Sequence, residues 1–370
     1  MEPFTHLLTG ACLARTGFNR KTAFATLAMT LAAEAPDLDV LWSLRGPVAG
    51  LQHHRGLTHT LLGAPLVALA VTAAVWLLVW ISDRSLLRGR RKRRFSPPAR
   101  WILIWLFAWI AVLSHIFLDW TNNYGVRLFF PFNPRWYSLD LVYIFEPVLF
   151  ALLLLALVIP AILGMADREI GAQPTAFRGR GWAIAALILA CALWGLRWGE
   201  HRNALRLAAN TRFGNEPAIR IAAEPYPINP FHWFVVVEAA DYYQTGSVDT
   251  WRDEVATDES DVVFKPPVTA AVAAAKDSRL GRVYLDWAAL PVVVDLGPAD
   301  LTAAGSQAPD PKDSVVEFRD LRFAYSTPLT EILGSGGGEP PLAARVFVTP
   351  GNTIDAIEMN GRVRKASDSR

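Results

Sequence analysis

Four long apolar stretches in the first 200 residues constrain this chain more than any other feature. Residues 61–81 contain no charged side chain, and 101–118, 141–165 and 182–198 are similar, apart from Glu146 inside the third and an arginine near the end of the fourth. A helix rises 1.5 Å per residue, so about 20 apolar residues cross a hydrocarbon layer of roughly 30 Å. The pattern therefore predicts four membrane-spanning helices.

Residues 3–35 hold two shorter apolar stretches on either side of Arg15, Arg20 and Lys21. Each stretch has about 14 residues and would be only about 21 Å long as a helix, too short to cross a bilayer comfortably. We expect a half-buried hairpin packed against the other helices, with its basic tip toward the cytoplasm. An amphipathic pair lying in the membrane interface is the alternative.

After residue 200 the pattern changes to short segments rich in β-branched and aromatic residues, separated by Gly, Pro and Asp. The predicted strands lie in FHWFVVVEA, YYQTGSVDTW, GRVYLDW, LPVVVDLG, SVVEFRDLRFAY and AARVFVTP. Residues 334–341 (GSGGGEPP) are expected to form a loop, and 365–370 a frayed tail. These segments predict a β-rich soluble domain.

The predicted fold class is thus an α-helical polytopic membrane domain followed by a β-rich extracytoplasmic domain. The expected boundaries are 1–165 for the membrane-embedded domain, 166–199 for a cytoplasmic loop with the last transmembrane helix, and 200–370 for the β-rich domain.

Basic loops predict the orientation of the chain. Residues 83–100 contain eight Lys and Arg in eighteen positions, and a second basic loop holds Arg168, Arg178 and Arg180. Short basic loops stay in the cytoplasm, so residues 51–60, 120–140 and 200–370 are expected outside it. This pattern is typical of a multi-pass protein of the bacterial cytoplasmic membrane. Because the basic residues anchor topology, we expect the lipid bilayer and no nucleic acid as a partner.

Histidines and carboxylates of the first 120 residues cluster in four short motifs, and five of the seven histidines precede residue 116. The motifs are THLLTG with His6, PDLD with Asp37 and Asp39, HHRGLTHT with His53, His54, Arg55 and His59, and SHIFLDW with His115 and Asp119.

Each motif also has a local structural explanation. His6 alone could be a helix-surface residue, the carboxylates after Pro36 could simply end a helix, and His115 with Asp119, four residues apart on one helix face, could form a hydrogen bond. HHRGLTHT is the hardest to explain in this way, because three histidines and an arginine at a membrane boundary are costly without partners.

The predicted topology brings the four motifs to one depth. HHRGLTHT precedes the first span from outside, and SHIFLDW ends the second span on the same side. A short hairpin over residues 3–35 would carry His6 and Asp37 to that level. Neutral imidazoles and carboxylates are ligands of divalent metals, so the sequence predicts a site for Zn²⁺, or for Mn²⁺ or Fe²⁺, with one or two ions.

These motifs, in this order, resemble the YdjM-type family of inner-membrane metal-dependent hydrolases. The family pattern has an N-terminal His, a PDxD turn, an HRGxTHS-like box and an SHxxxDxxxxxG segment, and residues 1–165 of this chain follow it. Thr60 replaces the usual serine at the end of the box. The later YSLDLVYIFEP stretch is similar to the family's DWxFIxDP stretch, and this resemblance implies that Asp140 and Glu146 belong to the site.

The expected function is hydrolysis by a membrane-bound, metal-dependent enzyme, of a phosphoester in a small-molecule or lipid-like envelope substrate at the outer face. The metal ligands would come from His6, Asp37, His53, His54, His59, His115 and Asp119. Asp39 or Asp140 would act as base or orient a ligand, Arg55 would bind the substrate's anionic group, and Glu146 would complete the site. The alternative is a non-catalytic metal-binding membrane protein with a sensing, structural or partner-recruiting role.

Overall fold

The computed structural model describes residues 1–84, 97–171, 178–213, 216–258, 261–301, 308–325 and 342–365. Within these residues the chain forms two compact units. The first comprises Met1–Asp39 and Arg55–Gly199, and the second comprises Val40–His54 and Glu200–Arg370. Most of the basic 83–100 segment, the 334–341 stretch and nearly all of the 365–370 tail lie outside the described residues.

Six of the described helices have all or most of their residues in the first unit. They are α1 (Pro3–Arg15), α2 (Ala25–Glu34), α4 (Ala64–Arg84), α5 (Trp101–Thr121), α6 (Pro147–Glu169) and α7 (Arg180–Asn210), while the short α3 (Pro47–His53) belongs to the second unit.

Helices α4 to α7 are long and apolar enough to cross a membrane, which confirms four apolar helices at the predicted places. Helix α6 starts at Pro147, later than expected, because proline is well suited to the first turn of a helix, where no backbone N–H is needed. Helix α7 continues to Asn210, beyond the end of the apolar run, since the polar residues that follow are still good helix formers.

The two short helices predicted in residues 3–35 are present as α1 and α2, and they pack on each other and on α4, α5 and α6. Their contact is very close. A Cβ built on Gly10 of α1 would lie 2.4 Å from the carbonyl oxygen of Met29 and 2.7 Å from the Cβ of Ala33. Small residues of α2, including Ala28 and Ala32, fill the same fully buried core. The hairpin therefore depends on side chains that let the two backbones approach.

The segment between α5 and α6 folds back onto the last turn of α5. The backbone N–H of Leu139 donates to the carbonyl of Trp120, and that of Leu141 donates to the carbonyl of Thr121, each over 2.9 Å. A short antiparallel bridge joins Val126 to Tyr137. These bonds hold the polypeptide on both sides of residue 140 against the end of α5.

The second unit contains two antiparallel five-stranded sheets. The strands are β1 (Arg220–Pro225), β2 (His232–Glu238), β3 (Tyr242–Asp249), β4 (Glu254–Ala256), β5 (Val262–Phe264), β6 (Pro291–Pro298), β7 (Ser314–Asp320), β8 (Ala344–Val348), β9 (Ile354–Met359) and β10 (Arg362–Lys365). The first sheet has the order β1-β2-β3-β4 with β5 also paired to β3, and the second has the order β10-β9-β8-β7-β6.

One predicted strand, GRVYLDW, is wrong: it lies in the helix α9 (Arg279–Trp287), which follows a shorter helix α8 (Ala270–Asp277). Ser278 caps α9 by accepting a hydrogen bond from the N–H of Gly281. Leu280, Tyr284 and Trp287 are buried at helical spacing. The segment GRVYLDW is too short, and too rich in aromatic residues, for this spacing to be recognised in the sequence. Strands β1, β4, β5, β9 and β10 were not predicted, because their sequences are short or rich in charged residues.

We expect Gly10→Ala to destabilise the first unit by about 1–3 kcal/mol, because the added methyl group would overlap the backbone of α2. Gly195→Ala in α7 is the matched control, since a Cβ there meets nothing within 4 Å and alanine favours the helix. Thermal or denaturant unfolding of the detergent-purified variants measures both effects. Equal stability of the two variants would contradict the close packing of α1 on α2.

Candidate metal centre

Four side chains from three separated motifs meet inside the first unit: Asp37, His59, His115 and Asp119. Asp37 lies in the 3₁₀ segment after α2, His59 in the turn before α4, and the other two on α5. The His59, His115 and Asp119 side chains have no solvent exposure, and Asp37 is 15% exposed. The structure thus buries two imidazoles and two carboxylates together.

The donor atoms have the spacing of a metal coordination shell. Nε2 of His59 lies 3.0 Å from Nε2 of His115, 3.2 Å from Oδ1 of Asp37 and 3.4 Å from Oδ2 of Asp119. Nε2 of His115 lies 3.4 Å from the same Asp119 oxygen and 3.5 Å from the same Asp37 oxygen. A tetrahedral metal with bonds of about 2.0–2.1 Å separates its ligand atoms by about 3.3–3.4 Å. These four atoms therefore fit one ion.

In each imidazole, the partner of Nδ1 determines which ring nitrogen carries the hydrogen and therefore whether Nε2 has a free lone pair. Nδ1 of His115 lies 2.7 Å from the carbonyl oxygen of Ala33, which can only accept, so this nitrogen carries the hydrogen. Nδ1 of His59 lies 3.2 Å from Oδ2 of Asp39 and 3.1 Å from the hydroxyl of Thr58. With Nδ1 protonated in both rings, both Nε2 lone pairs face the shared centre, as in carboxylate–histidine–metal arrangements.

The two oxygens of Asp119 have different surroundings. Oδ1 accepts a hydrogen bond from Nη2 of Arg55 at 2.9 Å, lies 3.4 Å from Nδ2 of Asn122, and also contacts the amino group of Met1. Oδ2 is buried and has no hydrogen-bond partner within the described part of the chain. A cation between Oδ2, Asp37 and the two imidazoles would satisfy this oxygen, which is the clearest sign that the cluster fits a metal.

Arg55 is itself held in place. Its Nη1 donates to the carbonyl of Gly125 at 2.8 Å and to Oδ1 of Asn122 at 3.2 Å, and its backbone N–H donates to Oδ2 of Asp39 at 2.7 Å. The guanidinium also lies over the ring of Tyr124, and the residue is only 3% exposed. Its observed partners are therefore the site's own carboxylates and the loop after α5.

His6 lies beside the four donors. Its ring stacks on that of His115 with 3.8 Å between centroids, and its Nε2 is 3.4 Å from Oδ1 of Asp119. Neither ring nitrogen has a hydrogen-bond partner among the residues that the structure describes. Burial, together with the nearby His115 and the N-terminal charge, lowers the pKa of His6 to about 3, so its imidazole is neutral.

The carboxylates control the charge of His59. Burial lowers its pKa, but the nearby carboxylates of Asp119, Asp37 and Asp39 outweigh this effect and raise the pKa to about 10. Burial raises the pKa of Asp37, yet its bonds to the two imidazoles bring it far below the usual range. Without a metal, the cluster thus keeps a proton on His59 at neutral pH.

Four other predicted site residues are not among these donors. His53 and His54 end α3 in the second unit, where His53 stacks on Trp42 at 4.1 Å. Glu146 is fully buried, and its carboxylate forms an ion pair with Arg197 of α7 at 2.6 Å. Asp140 is held at the end of α5 by the backbone bonds of its neighbours. None of these four is among the four gathered donors, and their assignment to the site stays a prediction.

Sequence reasoning missed two residues of this region. Glu34, the last residue of α2, is partly buried, and burial together with the charge of Asp37 raises its pKa to about 7. Asn122 is fully buried and connects Arg55 to the loop after α5. A carboxylate three residues before Asp37 was a possible signal for Glu34, whereas an asparagine after a helix is too common to single out.

The fold and the site together define a membrane protein with four helices that are long and apolar enough to span a bilayer, and with a buried His/Asp cluster that could hold a metal ion in its first unit. A family model described as YdjM inner membrane protein matches residues 1–204. The chain therefore belongs to the YdjM inner membrane protein family, as the motifs predicted.

A relative from Bacillus subtilis (strain 168), described as uncharacterized protein YfhP, is 28% identical over 158 residues. The match covers 40% of this chain and 43% of the relative, so less than half of each protein is compared. No solved structure matches the chain.

We expect His115→Ala and Asp119→Asn to lose bound metal, because each removes one of four mutually adjacent donor atoms. Loss of one ligand should weaken binding by at least about 10–100-fold, the effect of even an outer-shell change. His53→Ala is the control and should keep its metal. Elemental analysis of the purified variants measures the content, and loss of metal only in the His53 variant would refute the four-donor site.

We expect metal affinity to rise with pH. The metal must displace the proton on His59, whose pKa is about 10 without metal, so the apparent Kd should fall about tenfold per pH unit between pH 6 and 8. Calorimetric titrations in buffers of different ionisation enthalpy should show about one proton released per ion. A Kd that does not change with pH would show that His59 is already neutral.

Proposed function

We propose that this protein is a membrane-bound, metal-dependent hydrolase of a phosphoester, with its site toward the outer face of the bacterial cytoplasmic membrane. The observation that carries the proposal is the convergence of Asp37, His59, His115 and Asp119 on one buried point. The basic loops support the sidedness. Oδ1 of Asp119 is occupied by Arg55, so we infer one ion, bound on the Oδ2 side.

A divalent metal such as Zn²⁺, Mn²⁺ or Fe²⁺ would polarise a phosphoryl oxygen and lower the pKa of a water molecule bound to it. The chain's own residues arrange the site. Asp39 orients His59, and the carbonyl of Ala33 orients His115. Asp37 is the one donor of the four with some solvent exposure, so it faces the side from which substrate can approach. This set of outer contacts is what a preorganised metal site requires.

Arg55 is better suited to positioning Asp119 than to binding the substrate's anion, the role expected from the sequence. Its two terminal nitrogens donate to Asp119, Asn122 and the carbonyl of Gly125, which aims the opposite carboxylate oxygen at the cluster. The side chains of Asp37, Asp39 and Asp119 carry three negative charges and Arg55 carries one positive charge, which leaves an excess of two negative charges. A divalent cation balances that excess.

Hydrolysis breaks the bond between phosphorus and the leaving alcohol oxygen and forms a bond from phosphorus to the water oxygen, while a proton passes from the water to the alcohol. Glu34 ends α2 three residues before Asp37, and burial together with the charge of Asp37 raises its pKa to about 7, so we propose it as the residue that exchanges this proton. Asp39 is already engaged with the backbone N–H of Arg55 and with His59, which favours its role as an orienting residue over that of a base.

A second candidate function follows from the same geometry. Four protein donors can close a tetrahedral shell, and closed shells are typical of structural zinc sites. In that case the metal would stabilise the first unit or serve sensing, and the β-rich unit would recruit a partner. Tightly bound, stoichiometric metal in a protein that turns over no phosphoester would favour this function.

Turnover of bis(p-nitrophenyl) phosphate by the metal-loaded, detergent-purified protein tests the proposal. We expect His59→Ala to abolish turnover and Asp39→Asn to reduce kcat/KM by about 10–100-fold, because loss of the orienting carboxylate weakens the ligand's position. His201→Gln in the second unit is the control and should keep wild-type activity. Unchanged turnover in the His59 variant would remove the proposed function.

A further inference from the structure

We propose that the metal centre opens toward the apolar layer of the bilayer and that its substrate is an amphiphile whose acyl chains stay in the lipid. This inference rests on the proposed function and names the substrate class for the same site. It is carried by the exposure of apolar side chains at the level of the metal donors.

Helix α5 shows the depth of the site. His115 and Asp119 face inward and are fully buried, whereas Phe117 lies between them in sequence and points to the opposite side, with 48% of its surface exposed. A helix rises 1.5 Å per residue, so Phe117 lies within about 3 Å of both donors along the helix axis. A large exposed aromatic residue at this level indicates that lipid, and not water, surrounds the helix there.

Helix α1 repeats this arrangement. His6 is fully buried, and Phe4, two residues earlier and on the other side of the helix, is 67% exposed. Helix α5, which carries two of the donors, and helix α1, which carries the neighbouring His6, therefore both present phenylalanine outward at the height of their histidines.

The loops that carry the remaining donors are also apolar on their outer side. Leu38, between Asp37 and Asp39, is 61% exposed, and Leu57, two residues before His59, is 58% exposed. Asp37 is the only one of the four donors with an exposed side-chain fraction. Its exposed neighbour along the chain is a leucine, so the accessible side of the site begins at an apolar surface.

This apolar surface continues into a membrane-spanning helix. After His59 come the exposed Leu61 and Leu62, followed on α4 by Leu66 and Leu69, which are 66% and 56% exposed. Because α4 is a candidate membrane span, its exposed leucines face lipid. The surface near the donors is continuous with that face, which identifies lipid acyl chains as its occupant.

Spin labels at Leu38→Cys and Phe117→Cys test the inference in the full-length protein, reconstituted into phosphatidylcholine/phosphatidylglycerol vesicles. Exposed Cys191 is first replaced by serine, and buried Cys12 is kept. Ala73→Cys, exposed in the middle of α4, gives the lipid reference, and Arg252→Cys, exposed in the second unit, gives the water reference. Power saturation with oxygen and with a water-soluble nickel chelate measures how each label collides with lipid-soluble and water-soluble reagents.

We expect the labels at 38 and 117 to collide mainly with oxygen, like the label at 73. Collision mainly with the nickel chelate, as at 252, would overturn the inference. Shielding from both reagents would also overturn it, because it would show that protein, such as a second copy of this chain, covers the surface.

Turnover then separates the inference from the proposed function. We expect kcat/KM for dioleoyl phosphatidic acid in vesicles to exceed that for water-soluble dihexanoyl phosphatidic acid by about tenfold or more, since only the longer chains remain in the bilayer. Equal or faster turnover of the short-chain compound would overturn the inference and leave the hydrolase intact. Oxygen-accessible labels without turnover of any phosphoester would support the lipid-facing opening and remove the hydrolase.

Discussion

The arrangement of this membrane unit depends on four lone pairs that point at one buried position. Nε2 of His59, Nε2 of His115 and one oxygen each of Asp37 and Asp119 lie within hydrogen-bond distances, yet their outer contacts place acceptors, not hydrogens, toward the centre. Such a group is unfavourable in a dry environment unless a proton or a cation lies between its members. A divalent metal satisfies all four atoms at once, whereas one proton satisfies two.

The surrounding structure supplies what this constraint requires. The close approach of α1 and α2 at Gly10 brings Ala33, whose carbonyl orients His115, against α5. Arg55 fixes the outer oxygen of Asp119 and ties it to the loop after α5. These contacts restrict the motion of the donor side chains, so the site is preorganised. Metal binding would therefore carry only a small entropic cost for ordering the ligands.

Much of this architecture could be predicted locally. The four helices long enough to cross a membrane follow from uncharged runs of sufficient length. Four of the seven candidate ligands are brought together by the structure. The helix over GRVYLDW was missed because its buried Leu280, Tyr284 and Trp287 follow a period that a seven-residue aromatic segment does not reveal. The ion pair between Glu146 and Arg197 joins residues 51 positions apart and has no local signature.

The sequence alone determined that this chain has four helices long and apolar enough to cross a membrane, that a β-rich unit follows, and that histidines and aspartates accumulate in a few short motifs of the first 120 residues. Hydropathy and charge determine these features because they act over a few neighbouring residues. Only the tertiary structure decided which of these side chains share a centre. It places Asp37 within the four-residue cluster and Asp39 beside Nδ1 of His59, and it turns Arg55 toward Asp119. The physical reason is that coordination requires atoms from distant segments to lie within about 3.5 Å, and packing sets that distance.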